Sequence, residues 1–94
     1  MGALVPGCEF FNIAAAGDKS IPGSGLILHS VVLNKVTASA VVKLYNGTST
    51  TGTLIGTIDA SQSAIGTLTY DILCKNGLYA VMTGANADIT ICVI

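Results

Sequence analysis

The chain has no tryptophan and no arginine, and its four lysines and five acidic residues make up only 10% of its 94 positions. Each shortage removes a class of function. Nucleic-acid binding replaces counterions with a basic stripe, usually rich in arginine, and a net charge of −1 with scattered lysines provides none. Flat carbohydrate platforms lean on tryptophan, and only Tyr45, Tyr70 and Tyr79 stand in for it here. There is one histidine, His29, so catalysis and metal binding have few groups to draw on. No CxxC or HxxxH pair offers a structural zinc site, and no cluster of oxygen ligands suggests calcium. The five carboxylates, Glu9, Asp18, Asp59, Asp71 and Asp88, fall at no spacing that pairs them. The expectation is no enzyme, no cofactor and no metal.

Long apolar runs are missing too. Leu26 to Leu33 is the longest, and His29 and Ser30 interrupt it, well short of the roughly 20 residues of a spanning helix. The first residues, MGALVPGCEFF, lack the basic start and long apolar core of a secretory signal. Cys8, Cys74 and Cys92 are odd in number and far apart, which suits free buried thiols made in a reducing cytosol better than a disulfide scaffold. Only two prolines occur.

What remains is abundant: 51% hydrophobic residues and eleven glycines. One 94-residue domain buries about 60–65% of its unfolded surface, so this much apolar side chain is expected to spill onto contacts with partner subunits. Val, Ile, Leu and Thr recur at strand spacing between Gly, Asn and Ser turns, and no window carries a capped helical period. Residues 1–16 are expected to be an N-terminal arm or a first strand. Gly17 to Gly25 is dense in turn formers and reads as a loop. Strands are expected over Leu26–Val36, Ala40–Tyr45, Leu54–Ala60, Ile65–Cys74, Leu78–Thr83 and Asp88–Ile94. Asn76-Gly77 is a hairpin signal, and Asp18 and Asp88 are expected to bond turn backbones.

Strict alternation along Leu26–Val36 puts Ile27, His29, Val31, Leu33 and Lys35 on one face and Leu26, Leu28, Ser30, Val32, Asn34 and Val36 on the other. Both are largely apolar, so this strand is expected to be covered twice, once by an opposing sheet and once by a neighbouring subunit. The same alternation separates His29 from Ser30 and argues against a catalytic pair. About seven or eight short antiparallel strands follow, the pattern of a sandwich, barrel or jelly roll. The fold expected is all-β, a single β-sandwich of jelly-roll type over residues 17–94.

One pattern goes further. Gly25-Leu26-Ile27-Leu28-His29-Ser30-Val31-Val32-Leu33-Asn34 is followed by Val42-Lys43-Leu44-Tyr45-Asn46-Gly47-Thr48, Gly52-Thr53-Leu54-Ile55-Gly56-Thr57-Ile58 and Leu68-Thr69-Tyr70-Asp71-Ile72. Asn76-Gly77-Leu78, Gly84-Ala85-Asn86-Ala87-Asp88 and Ile89-Thr90-Ile91 close the run. Over roughly residues 23–94 this order resembles a group of short virion proteins of tailed bacteriophages. The resemblance implies a β-sandwich that cements or decorates a capsid, often as a trimer, or sits in a tail or fibre. Its partners would be the major capsid protein or other virion proteins, and copies of itself, with no nucleic acid and no membrane. The protein would be made in the bacterial host cytoplasm and reside in the virion. The alternative is a tail or fibre module that binds a host receptor or glycan. Residues expected at subunit contacts are Leu4, Val5, Phe10 and Phe11 of the arm and Ile27, His29, Val31 and Leu33 of the long strand.

Overall fold

The computed structural model describes residues 9–22, 25–61 and 65–94, so Leu4 and Val5 lie outside the described residues. All regular structure among these residues is strand: β1 (Glu9–Ile13), β2 (Gly17–Ile21), β3 (Leu26–Lys35), β4 (Val41–Asn46), β5 (Thr53–Asp59), β6 (Gly66–Cys74), β7 (Leu78–Thr83) and β8 (Asp88–Val93). They form two four-stranded antiparallel sheets packed as a sandwich. One runs β1-β8-β3-β6 and the other β2-β7-β4-β5.

The pairings nest. β4 pairs with β5, β3 with β6, β2 with β7 and β1 with β8, all antiparallel. Two further pairings, β3 with β8 and β4 with β7, close each sheet. Only the β4–β5 connection stays within a sheet, so the Asn76-Gly77 turn carries the chain from β6 in one sheet to β7 in the other. It is no hairpin. Local turn chemistry fixes a reversal but not which sheet receives the next strand.

β2 corrects the expected loop at Gly17–Gly25. Gly17 to Ile21 pairs with Met82 to Leu78, and the ladder supplies the backbone partners that this polar segment would otherwise take from water. Only Ile21 turns into the core, which is why alternation was invisible there.

Between the sheets, side chains from both inner faces form one core that includes Leu28, Val31, Leu33, Val42, Leu44, Ile58, Leu78, Met82, Ile89, Ile91 and Val93. On β4, β7 and β8 the burial alternates with period two, as a half-covered strand should. At the open side, Tyr70 of β6 reaches across to β5. A Cβ on Gly56 would meet its hydroxyl at 3.1 Å, so the missing side chain makes room for the ring that closes this edge. Burial there pushes the Tyr70 phenol pKa up.

Candidate interaction surface

β3 does not alternate strictly. Against β6 its register slips between Leu28 and Ser30, because Tyr70 and Asp71 together oppose His29. Against β8 the same point slips the other way, Leu28 facing Val93 and Ser30 facing Cys92. Asp71 takes a φ of 52°, the left-handed conformation that a bulge asks of an extra residue. A one-residue slip exchanges the faces of a strand. Leu28 points into the core before the bulge, and Val31 and Leu33 point into it after.

The expected contact face is therefore divided. Ile27 stays on the outer surface at 39% exposure, whereas Val31 and Leu33 are 0% exposed within the chain itself. These two pack in the core and are unavailable to another subunit. Phe11 also packs partly against the core, while Phe10, on the other face of β1, is 67% exposed.

His29 sits in the bulge, half-exposed, and the bulge overturns the argument from alternation. Its Nδ1 lies 3.1 Å from Ser30 Oγ, and its Nε2 lies 3.7 Å from an Asp71 carboxylate oxygen. With the ring proton on Nε2, facing the carboxylate, the Ser30 hydroxyl donates to Nδ1. The three residue types are those of a hydrolytic triad, but Ser30 is only 4% exposed. A nucleophile must reach a substrate, and this one fills the hydrogen-bonding needs of a buried serine.

Beside the bulge the outer surface of the β1-β8-β3-β6 sheet is apolar. Ile27 pairs with Leu73 on one side. On the other, Ile27 N–H donates to Ile94 O at 3.2 Å and Ile94 N–H donates to Ile27 O at 2.9 Å. Ile94, Ile27 and Leu73 thus stand in one row, Ile94 58% and Leu73 56% exposed. Phe10, paired with Cys92, adds a ring within one row of them. Leu73 and Ile94 had not been expected at a contact. Their cross-strand pairing to Ile27 is a register property, which a single sequence does not state.

Farther along the same surface runs a closed polar ladder. Asn12 Nδ2 donates to Asp88 at 2.8 Å and to the Ile89 carbonyl at 3.0 Å. Asn34 Nδ2 donates to Asp88 at 3.0 Å and to Thr90 Oγ1 at 3.1 Å. These amide bonds hold the Asp88 carboxyl below its ordinary pKa, Asn12 and then Asn34 contributing most. Asp88 thus bonds two side chains from neighbouring strands rather than a turn backbone.

The opposite sheet presents Tyr45 next to Tyr79 in register. The Tyr79 hydroxyl donates to Asp18 at 2.7 Å, which raises the phenol pKa, so Asp18 too serves a side chain. Tyr45 and Tyr70 do not share a groove: one lies on β4 and the other closes the β5–β6 side. A hollow of about 300 Å³ lies at the β1–β2 turn, lined by residues 12–19. Among the described residues, no three His, Cys, Asp or Glu side chains gather to hold a metal ion, and no helix is long and apolar enough to cross a membrane. No family model matches the chain, and no curated protein shows significant similarity to it.

Proposed function

We propose that this protein is a non-enzymatic structural component of a phage particle, a capsid cement or decoration protein that binds neighbouring capsid subunits and copies of itself. The observation that carries the reading is the apolar row Ile94–Ile27–Leu73 with Phe10 beside it, open on the outer face of a sheet. A cement protein works by burying such surface against several neighbours, and each stable contact takes about 800 Å² from a partner. The likeness of residues 23–94 to short tailed-phage virion proteins supplies the setting: synthesis in the host cytoplasm and residence in the virion. The sandwich is of jelly-roll type on this reading. Support comes from the strand orders β1-β8-β3-β6 and β2-β7-β4-β5 with their nested pairs, as if one long hairpin had been rolled up.

The test is the solution mass by light scattering, before and after adding empty phage capsids. An oligomer that then loads capsids to a fixed ratio is the expected result. A monomer that ignores capsids would refute the assignment.

A second reading, a tail or fibre module that binds a host glycan, draws on one observation. Tyr45 and Tyr79 lie side by side on the outer face of the β2-β7-β4-β5 sheet, with Asp18 bonded to Tyr79, a pairing of aromatic surface and carboxylate that suits a sugar ring. Binding on a glycan array that Tyr45→Ala abolishes would favour it over cement.

A further inference from the structure

We propose that β1 and β2 form a detachable strap, opening together as one unit while β3 to β8 stay folded. The device does not depend on a role in a virion.

Placement is the first ground. β1 and β2 are consecutive and joined only by residues 14–16, yet β1 is an edge strand of one sheet and β2 an edge strand of the other. The pair therefore runs along one side of the sandwich. Neither strand takes part in the β3–β6, β3–β8, β4–β5 or β4–β7 pairings, so those four ladders survive its departure.

Burial is the second ground. Of the eighteen buried hydrophobic residues among those described, the strap supplies two, Ile13 and Ile21. The rest come from β3 to β8 and the turns between them, which keeps most of the core's apolar driving force with the six strands. The side-chain bonds from Asn12 to Asp88, from the Ala16 N–H to Asn86 Oδ1 and from Tyr79 to Asp18 are all exposed. Water replaces such bonds at small net cost.

The opposite side of the sandwich supplies the contrast. β5 and β6 are also consecutive edge strands of the two sheets, but they continue into β4 at one end and β7 at the other. Freed, they would remain a closed loop, which recovers less chain entropy than a segment held at one point. Tyr70 of β6 also packs on Gly56 of β5. The strap connects to β3–β8 through the β2–β3 link alone. Its opening bares the β8 and β7 edges, two rows of backbone N–H and C=O groups that can take an added strand.

Hydrogen exchange of the whole chain, followed by mass spectrometry where exchange reports the opening equilibrium, tests the device without capsids. Peptides from β1 and β2 should exchange at least about tenfold faster than peptides from the central strands β3 and β4. Ile58→Val alters a buried residue of β5, the edge farthest from β2 in its sheet. It weakens the closed and strap-open forms alike, so it should speed β3 and β4 about two- to tenfold and leave β1 and β2 unchanged. Ile13→Val should speed β1 and β2 by one common factor, again about two- to tenfold. Equal rates in the strap and in β3 and β4 would overturn the proposal. So would a strap sped by Ile58→Val, or a response to Ile13→Val confined to β1.

Discussion

Gly84 follows β7 in the turn toward β8, with a φ of 88°. A Cβ placed there would run into the Ser39 carbonyl of the β3–β4 turn and sit 3.7 Å from Ala40 Cα. The obstacle, the Ser39 carbonyl, is backbone, so no side chain can rotate out of the way. For Gly84→Ala the positive φ alone costs about 1–2 kcal/mol, and forcing two packed turns apart adds about 1–3 kcal/mol, as overpacking does elsewhere. The total of about 2–5 kcal/mol is a large part of the 5–14 kcal/mol or so that a domain of this length possesses. At roughly 4–8 °C per kcal/mol, the melting temperature should fall by about 8–40 °C. Gly25 is the internal control. Its φ is 65°, but nothing lies within 4 Å of the added carbon, so Gly25→Ala should cost only the backbone penalty, about 1–2 kcal/mol. Urea unfolding followed by circular dichroism, at one fixed protein concentration, measures both. Equal losses in the two variants would show that the β3–β4 and β7–β8 turns do not press together, and the reasoning would fail.

Leu33→Ala should destabilise by about 2–5 kcal/mol as a core truncation, whereas Ile27→Ala, three alternations earlier on the expected face, should cost under about 1.5 kcal/mol; equal costs in urea would contradict the bulge. The Asp88 carboxyl titrates below its ordinary value of 3.8 in the folded chain, so the stability it contributes is complete above that value and is lost as pH falls through the lower folded one. Asp88→Asn should therefore flatten the acid limb of a stability-versus-pH curve, and an unchanged limb would count against the amide ladder. Cys74 is buried and its thiol pKa is raised by that burial, so a maleimide should modify it only on unfolding. Peptide mapping that finds Cys74 labelled in the native protein as fast as Cys92 would show the core to be open there.

Much of this protein could be read from its residues before any tertiary information. Val, Ile, Leu and Thr alternating between glycine-rich turns settled the all-β class, because a residue's own backbone preference and the period of its apolar neighbours are local properties. The six strands expected from Leu26 onward all occur, with no end shifted by more than one residue. Where the core contacts only one residue in five, as in β2, local pattern had nothing to report and the strand was missed. The pairing with β7 that makes it a strand joins residues about 60 apart in sequence. The outer apolar surface was legible only in outline. Phe10 and Ile27 stood out by their hydrophobicity, but the row they belong to depends on which strand lies beside β3.

The bulge at His29 marks the limit most sharply. Strict alternation made Val31 and Leu33 companions of Ile27, and one extra residue opposite β8, with another in β6, moved them into the core. The same slip brought His29 onto the Ser30 hydroxyl, which alternation had kept apart. Composition and periodicity determined that this chain is a β-sheet protein rich in apolar side chains. Tertiary structure alone decided the order of strands, the register between them and therefore which apolar residues face water. The physical reason is that a strand chooses its neighbours and its register by the free energy of the whole packed core, a sum over distant residues that no local window contains.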